Sequence, residues 1–287
     1  MPRLELPDSL VDADWLHRHL HHHDLVIFDA SWHMPASGRD GEREWAENCI
    51  PGARYFDFDR KICQPSGDLP HMMPGQDLFT REVQALGMNR DSVVVIYDSL
   101  GMFSGPRAWW MLRAMGHRHC ALLDGGFPAW QQAGFPVEKP RQAAEFARGD
   151  FVANPDQRCF VEADAVLAAL DDPCSSVLDA RPAARFRGEE EEPRAGLRKG
   201  HMPGAKSLPF AELFDDGLLK SSAALKQIFA RLIAHSEQTI CSCGSGVTAC
   251  VIAFAAHRVG YENLAVYDGS WCEWGQPGDL PVTTSGD

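Results

Sequence analysis

Three short markers occur in both halves of the chain in the same order, about 150 residues apart, and this internal repeat restricts the fold most strongly. An apolar run ends in Asp29 in the first half and in Asp179 in the second. A Pro-Gly-Ala segment and then an Asp-Gly pair follow each run, at 51–53 and 124–125 and again at 203–205 and 268–269. A repeat of this length predicts two folding units of similar structure, each of ordinary domain size.

Each half alternates short apolar runs with stretches of helical periodicity. The runs Val26–Phe28, Val93–Tyr97 and Ala121–Leu123 are typical of buried strands. The stretches Phe103–Met115 and Val247–Val259 have apolar residues at helical spacing, and a glycine follows each of them. Alternating strands and helices predict an α/β fold in which each unit is a mainly parallel sheet flanked by helices.

A connector separates the two predicted units. The segment 141–158 has little periodicity and contains Gly149 and Pro155, which are typical of loops. The sequence therefore predicts a first domain at 1–140, a linker at 141–158 and a second domain at 159–287.

The composition argues against several functional classes. The 287 residues carry a formal net charge of −13, which disfavours a general affinity for nucleic acids or anionic membranes. No apolar run approaches the roughly 20 residues of a membrane span, and the N-terminal segment lacks the pattern of a secretory signal. We therefore expect an unexported, cytoplasmic protein whose nine cysteines, an odd number, are free thiols.

The two halves differ at one chemically important position. Cys243 follows the strand-like run 238–242, and Asp98 stands at the matching position of the first half, after the run 92–97. Since the first unit is predicted to fold without a thiol there, the fold itself does not require a cysteine. Chemistry is the better explanation for Cys243.

The loop that begins at Cys243 suits a reactive thiolate. Its sequence, Cys-Gly-Ser-Gly-Val-Thr over 243–248, lies between a predicted strand and a predicted helix. Backbone N–H groups converge at such a junction and favour an anion, and the glycines permit the tight backbone curvature that this requires. Converging donors stabilise a thiolate relative to a thiol, so Cys243 is predicted to be a nucleophile.

These features resemble those of the tandem-domain rhodanese superfamily over nearly the whole chain. The resemblance rests on the loop at 243–248, on Gly-His-Met-Pro-Gly-Ala at 200–205 and on Asp-Gly-Ser-Trp at 268–271. Thiosulfate enzymes of that superfamily have basic residues directly after the cysteine, whereas its 3-mercaptopyruvate enzymes have Gly-Ser-Gly-Val-Thr. The resemblance implies two rhodanese-like domains, of which the first is inactive.

The resemblance also implies an activity. The chain is expected to move sulfur from 3-mercaptopyruvate to a thiol acceptor, such as thioredoxin or a small thiol, or to cyanide, through a Cys243 persulfide and with release of pyruvate. No metal, organic cofactor, nucleic acid or membrane is implied. Two alternatives remain at this point, a thiosulfate sulfurtransferase and a non-catalytic partner in a sulfur relay.

Substrate binding is assigned by the same resemblance. The implied substrate-binding residues are Arg185, Arg194, Gly244, Gly246, Val247 and Thr248. Planar guanidinium groups bind a carboxylate through two hydrogen bonds, which suits the carboxylate of 3-mercaptopyruvate. Arg187 lies close in sequence and is an alternative to either arginine.

The implied catalytic residues are Cys243, Ser245, His71 and Asp59. Ser245, His71 and Asp59 would form a Ser-His-Asp relay that protonates the departing pyruvate enolate. Asp57 or Asp68 could replace Asp59 as the acid that orients His71.

Two further patterns have simpler interpretations. The histidines at 17, 19 and 21–23 are expected to form a polar helix face rather than a metal site. The glutamate run Glu189–Glu192 is expected to be a solvated loop. A cysteine-dependent phosphatase is disfavoured because such loops close with an arginine, and positions 249–252 are Ala, Cys, Val and Ile.

Overall fold

A computed structural model describes residues 3–140 and 146–284 of the protein. Their contacts divide them into two compact units. The described residues up to Pro65 and from Met73 to Asp156 form the first unit, and Ser66–Met72 together with the residues from Gln157 onward form the second. A short segment from the first half of the sequence thus belongs to the second unit.

The first unit is a parallel sheet with helices between its strands. Its strands are β1 (Leu10–Val11), β2 (Leu25–Asp29), β3 (Arg54–Tyr55), β4 (Val93–Tyr97) and β5 (Cys120–Leu123), and its helices are α1 (Ala13–His19), α2 (Gly41–Glu47), α3 (Gln76–Ala85), α4 (Gly105–Ala114) and α5 (Gly126–Gln132). The strand order is β1-β5-β4-β2-β3, and every pair is parallel. The central strand β4 is buried at every residue, which explains its continuous apolar sequence.

The second unit has a sheet of the same kind. Its strands are β6 (Phe160–Val161), β7 (Ser175–Asp179), β8 (Lys206–Ser207), β9 (Phe214–Asp215), β10 (Leu218–Leu219), β11 (Gln238–Ser242) and β12 (Leu264–Tyr267), and its helices are α6 (Ala163–Leu170), α7 (Ala183–Phe186), α8 (Ser222–Ile233), α9 (Ala249–Arg258) and α10 (Ser270–Trp274). Five strands form a parallel sheet of order β6-β12-β11-β7-β8, while β9 and β10 form a separate antiparallel pair.

The two sheets have the same order of strands relative to the chain. In each, the fourth strand along the sequence, β4 or β11, lies in the middle and pairs with β2 or β7. The predicted α/β architecture, with mainly parallel sheets flanked by helices, is confirmed. The antiparallel pair β9–β10 is an addition that the sequence pattern did not predict.

The register of the central strands determines where the following loops begin. Ser242 pairs with Asp179 in the second unit, as Tyr97 pairs with Asp29 in the first. Because the carboxyl ends of parallel strands share one edge of a sheet, the residues after β11 and β7 emerge side by side. Ligands bind at such edges in open α/β sheets, so this edge is the natural place for a site.

Two predicted helices are shorter in the structure than the apolar spacing indicated. The helix predicted over 103–115 is α4 (Gly105–Ala114), and the one predicted over 247–259 is α9 (Ala249–Arg258). The two residues before each helix were included in the predicted helix but belong to the preceding loop. Their backbone amides are therefore available for hydrogen bonds outside the helix.

The predicted linker at 141–158 is described only in part, because residues 141–145 lie outside the described residues. Its later residues are hydrogen-bonded to the first unit: the amide of Gly149 donates to the carbonyl of Gln84 over 2.8 Å, and that of Asn154 to Met115 over 2.9 Å. Among the described residues, every helix is too short or too polar to cross a membrane.

Candidate active site

Cys243 lies at the carboxyl end of the central strand β11, between the strand and α9. Its side chain is buried, with 1% of the residue exposed. The neighbouring strands β7 and β12 cover both sides of β11, so the thiol is held at the middle of the sheet edge. This is the position that the sequence predicted for a nucleophile.

The backbone of the Cys243 loop carries amide groups that have no acceptor. Within the described residues, the N–H groups of Gly244, Ser245, Val247 and Thr248 make no hydrogen bond. Gly246 has a φ of 73°, a conformation that side-chain-bearing residues adopt rarely. Open donors at the start of a helix favour an anion, which supports the predicted stabilisation of a thiolate.

The helix α10 anchors this loop from the other side. The carbonyl of Cys243 accepts from the amide of Trp271 over 3.0 Å, and the carbonyl of Gly244 accepts from Cys272 over 2.8 Å. The amide of Cys243 donates to Oγ of Ser270 over 3.1 Å, and this hydroxyl donates to the carbonyl of Tyr267 over 2.8 Å. The loop is thereby held at three consecutive backbone groups.

Ser270 is a site residue that the sequence reasoning missed. It is fully buried and has a φ of 48°, although it is not a glycine. The matching residue of the first unit is Gly126, with a φ of 54°. The repeat contained a signal for this residue, because Ser270 stands where the first unit has a glycine in the left-handed conformation. A strained residue usually has a local function.

Arg185 lies beside the loop, and an acidic side chain already contacts it. A Cβ placed on Gly244 would lie 3.5 Å from Nη2 of Arg185, so the glycine lets the guanidinium approach the backbone. Nε and Nη2 of Arg185 both donate to Oε2 of Glu192. Hydrogen bonds to other described residues are absent from Nη1, which leaves one edge of the guanidinium for a ligand.

The prediction that Glu192 belongs to a solvated loop is wrong. Glu192 is buried, and its other carboxylate oxygen accepts from Nη1 of Arg181 over 2.8 Å. Arg181 is buried as well, donates to Asp179 and stacks 3.9 Å above the ring of Trp271. A run of four glutamates resembles a solvated loop, but two guanidinium groups neutralise this carboxylate in the interior.

Arg194 has a different environment from Arg185. Across residues 3–140 and 146–284, its guanidinium has neither an ion-pair nor a hydrogen-bond partner. It lines a cavity of about 560 Å³ in the second unit. The lining residues are Gly67, Asp68, Leu69, Pro70, Arg194, Ala195, Gly196, Leu197, Cys272, Gln276 and Pro277. An unpaired cation at a cavity wall suits an anionic ligand. The alternative, Arg187, is exposed and paired with Glu189, so it does not contribute to this cavity.

His71 belongs to the segment Ser66–Met72, which groups with the second unit although it lies in the first half of the sequence. His71 is 3% exposed and has a φ of 62°, a strained conformation for a histidine. The four residues before it, 67–70, line the cavity that contains Arg194. The segment thus brings a histidine into the unit that carries Cys243 and Ser245.

The three candidate acids for His71 lie in different places. Asp59 and Asp57 belong to the first unit, and Asp57 accepts hydrogen bonds from the amide and Nε of Arg60. Asp68 is exposed and lines the cavity of the second unit. The pairing of His71 with Asp59 stays a prediction, and so does the relay through Ser245.

The matching loop of the first unit has a carboxylate where the second has a thiol. Oδ1 of Asp98 accepts from the amide of Leu100 over 2.8 Å, and Oδ2 accepts from Ser104 over 2.9 Å and from Gly105 over 2.7 Å. Burial raises the pKa of Asp98, and these backbone hydrogen bonds act in the opposite direction. Several amides of this loop are therefore bound by the carboxylate of its own side chain.

The histidines near the N-terminus have separate environments. His17 stacks on Phe135 with ring centroids 4.1 Å apart, so it packs against the protein. In the described part of the chain, His22, His23 and Asp24 are close enough together to share an ion, but His23 is exposed. These residues belong to the first unit, whereas Cys243, Ser245, Arg185 and Arg194 belong to the second.

Comparisons with known proteins agree with this geometry. The family described as Rhodanese-like domain matches residues 12–133 and 162–277. The 3-mercaptopyruvate sulfurtransferase of Escherichia coli strain K12 is 40% identical over 274 residues, covering 95% of this chain and 96% of the relative. A thiosulfate sulfurtransferase of Gallus gallus is 39% identical over 275 residues, covering 93% of each chain.

A solved structure is similar over most of the chain. The crystal structure of SseA from Escherichia coli, described in connection with the rhodanese fold and the catalytic mechanism of 3-mercaptopyruvate sulfurtransferases, superposes with a TM-score of 0.83. It is 37% identical to this chain, and the match covers 92% of this chain and 99% of the other. The relatives and the solved structure thus match the chain over both units.

Proposed function

Because the chain belongs to the family of proteins with Rhodanese-like domains, we propose that it transfers sulfur from 3-mercaptopyruvate to a thiol acceptor through a persulfide on Cys243. One observation carries the proposal: the buried thiol begins a neutral loop with open backbone amides, in the same unit as a cavity lined by the unpaired cation Arg194. Residues of this kind bind a carboxylate and stabilise a sulfur anion.

The first half-reaction forms the persulfide. The Cys243 thiolate attacks the sulfur of 3-mercaptopyruvate, the carbon–sulfur bond breaks, and its electron pair goes to the pyruvate enolate. The sulfur remains on Cys243, where the amides of Gly244, Ser245 and Val247 can donate to the new terminal sulfur. The enolate takes up a proton and leaves as pyruvate.

Two arginines are proposed to hold the substrate carboxylate. Arg194 has both edges of its guanidinium available, whereas Arg185 offers only the edge that Glu192 does not occupy. Glu192 in turn is fixed by Arg181, which keeps the available edge of Arg185 in one orientation. The carboxylate of 3-mercaptopyruvate therefore provides the anionic partner that Arg194 lacks among the described residues.

Protonation of the enolate is assigned to the Ser245, His71 and Asp59 relay. Ser245 places a hydroxyl within the loop, two residues after the nucleophile Cys243. Its hydroxyl has no hydrogen-bond partner in the described parts of the chain, so it is available to a substrate oxygen. Asp68 supports an alternative, because it lies in the same segment as His71.

The second half-reaction returns the enzyme to the thiolate. A small thiol or thioredoxin attacks the outer sulfur and carries it away, and cyanide does the same in an assay. We propose that this takes place in the cytoplasm, without a metal or organic cofactor, and with the first unit inactive because Asp98 stands in the place of the thiol.

Thiosulfate is the alternative donor, favoured by the similarity to the thiosulfate sulfurtransferase of Gallus gallus. Thiosulfate is a dianion, and the residues directly after Cys243 offer amides and one hydroxyl but no cation. The ratio of the turnover rates with the two donors decides between them. Robust transfer from thiosulfate to cyanide without turnover of 3-mercaptopyruvate would overturn the proposed donor.

The decisive experiment incubates the protein with 3-mercaptopyruvate and measures released pyruvate together with the sulfur bound to each peptide. We expect one equivalent of pyruvate in the first turnover and, when an alkylating agent traps the persulfide during that turnover, sulfur on the peptide that contains Cys243. Cys243→Ser should lose both, whereas Cys174→Ser removes an exposed thiol and should lose neither. No pyruvate release from 3-mercaptopyruvate, together with uptake of sulfur from a persulfide of a small thiol, would instead indicate a non-catalytic relay partner.

The proposed carboxylate binding is tested with Arg194→Ala. The variant should raise KM for 3-mercaptopyruvate roughly 10- to 100-fold with a smaller effect on kcat, because a charge-assisted hydrogen-bonded pair is lost. The matched control is Arg187→Ala, which removes an exposed arginine paired with Glu189. Equal KM values for both variants and the unaltered protein would exclude Arg194 as the carboxylate ligand.

A further inference from the structure

A second thiol lies next to the nucleophile and lines the cavity of the second unit. Cys272 is 5% exposed, and it lines this cavity together with Arg194 and Gln276. It is also a residue of α10, the helix that anchors the Cys243 loop. The proposed mechanism gives it no role.

Backbone hydrogen bonds hold the two cysteines side by side. The carbonyl of Cys243 accepts from Trp271 over 3.0 Å, and the next carbonyl, of Gly244, accepts from the amide of Cys272 itself over 2.8 Å. Consecutive hydrogen bonds of this kind align the two segments. Disulfide formation requires neighbouring backbones of this type, with Cα atoms about 4.4–6.8 Å apart.

Electrostatic interactions also connect the two thiols. The pKa of the Cys272 thiol is raised to about 11, chiefly by burial; the guanidinium groups of Arg194 and Arg185 act to lower it, and charge on Cys243 acts to raise it. Cys272 therefore carries its proton at neutral pH. A protonated thiol next to a persulfide can supply both a sulfur nucleophile and the proton that the leaving sulfur needs.

We propose that Cys272 resolves the Cys243 persulfide internally, releasing hydrosulfide and leaving a Cys243–Cys272 disulfide. The sulfur of Cys272 bonds to the inner sulfur, Sγ of Cys243, and the bond between the inner and outer sulfurs breaks. The proton of Cys272 moves to the outer sulfur of the deprotonated persulfide, which leaves as HS⁻. Atoms, charge and electrons balance without an external oxidant.

This step rests on the proposed function, because it needs the persulfide as its starting point. It adds a second outcome for the bound sulfur: transfer to an external thiol when one is present, and release as hydrosulfide when none is. A dithiol is then required to reduce the disulfide and restore the Cys243 thiolate. The chain would act as a hydrosulfide-releasing enzyme with dithiol reductants.

The test is a single turnover with one equivalent of 3-mercaptopyruvate and no added thiol. Pyruvate, hydrosulfide and the intact mass are measured together. We expect one equivalent of each product and a protein lighter by two hydrogen atoms rather than heavier by one sulfur. Trypsin cleaves after Arg258, between the two cysteines, so the disulfide should join peptide 232–258 to the peptide that contains Cys272.

Variants separate this step from the first half-reaction. Cys272→Ser should release no hydrosulfide and retain one extra sulfur on Cys243 for each pyruvate that it releases, whereas Cys174→Ser should behave like the unaltered protein. Cys272→Ala gives the same comparison if the serine is poorly tolerated in the buried site. Both are checked by circular dichroism before use.

The outcomes are distinguishable without any variant. Absence of pyruvate in the unaltered protein would overturn the proposed function and with it this inference. Pyruvate release with a stable extra sulfur, no hydrosulfide and no peptide linked to Cys272 would overturn the inference alone.

Discussion

The loops after β4 and β11 both carry backbone amides at the end of the central strand, and they differ in what accepts hydrogen bonds from those amides. In the first unit, the carboxylate of Asp98 accepts from three amides of its own loop. In the second unit, a thiol stands at that position, and several amides of the loop have no acceptor among the described residues. The comparison teaches that the fold provides the donors and that one side chain decides whether they are available to a ligand.

A second difference lies one strand away. The amide of Ser31 donates to Asp29 over 2.9 Å in the first unit, and the amide of Arg181 donates to Asp179 over 2.9 Å in the second. Only the arginine adds a guanidinium, which also binds the buried Glu192. The charge network beside Cys243 therefore depends on Arg181. The matching residue of the first unit is Ser31, whose side chain carries only a hydroxyl.

The largest effect is expected when the second loop is given the residue of the first. Cys243→Asp should lower sulfur transfer from 3-mercaptopyruvate by at least about 10³-fold, because the nucleophile is lost. The free energy of unfolding should change by only about 1 kcal/mol, since the open amides can bind the new carboxylate as they do in the first unit. Enzyme assays and urea unfolding measure the two quantities.

The matched control is Cys250→Asp in α9. Cys250 is fully buried, and its thiol donates to the carbonyl of Gly246, so a carboxylate there meets an acceptor rather than donors. It should lower the free energy of unfolding by several kcal/mol. If Cys243→Asp lowered the free energy of unfolding as much as Cys250→Asp does, the amides of the Cys243 loop would not form an anion site.

The corresponding change in the first unit removes the carboxylate of Asp98, which binds the amides of its own loop. Asp98→Ala should lower the free energy of unfolding by about 2–4 kcal/mol, because three buried amides lose their acceptor. Asp98→Asn keeps one oxygen and should lose less. Urea unfolding measures both variants beside Asp91→Ala, which alters an exposed aspartate near the same strand. A loss no larger than that of Asp91→Ala would show that the carboxylate does not hold the loop.

A smaller effect is expected from giving α10 the glycine of the repeat. Ser270→Gly removes the hydroxyl that accepts from the Cys243 amide and relieves the strained φ of 48°. Catalytic efficiency should fall about 5- to 10-fold, as for one lost hydrogen bond, while the free energy of unfolding stays near that of the unaltered protein.

Ser270→Ala separates the two contributions, because it loses the same hydroxyl and keeps the strain. It should match Ser270→Gly in activity and be the less stable of the two in urea. Full activity in both variants would mean that the hydroxyl does not position the nucleophile.

The smallest effect concerns Asp29, which has no arginine partner corresponding to Arg181 within the part of the chain that the structure describes. Burial raises the pKa of Asp29 to about 7, so the folded protein holds this proton more strongly than the unfolded chain does. The free energy of unfolding should therefore fall as pH rises from about 4 to about 7, by about 1 kcal/mol between pH 6 and pH 8. Asp29→Asn should flatten this part of the profile, and an unchanged slope would contradict it.

Much of the architecture could be predicted because its signals are local or periodic. Continuous apolar runs identified β2, β4 and β5, and helical spacing identified α4 and α9, with errors of at most two residues at the start of an element and one at its end. Those ends were missed because Ser104, Val247 and Thr248 are compatible with a helix. At Ser104, the hydrogen bonds of its amide to Asp98 and of its hydroxyl to the carbonyl of Ala30 decided otherwise.

The site was predicted less completely than the fold. The burial of Glu192 could not be read from a run of glutamates, because it depends on two guanidinium groups that meet only in the folded unit. The role of Ser270 depends on a hydrogen bond across 27 residues. The grouping of Ser66–Met72 with the second unit contradicts the order of the chain, so no pattern within the segment could indicate it.

The sequence by itself determined the two α/β units and the position of the thiol, because strand ends, turns and the repeat are encoded in short segments. Only the tertiary structure decided what surrounds Cys243. Which arginine is paired, which serine anchors the loop and which second cysteine lies beside it all depend on side chains brought together from distant segments. Short-range patterns carry no information about such contacts, and the free energy of each depends on burial in the finished fold.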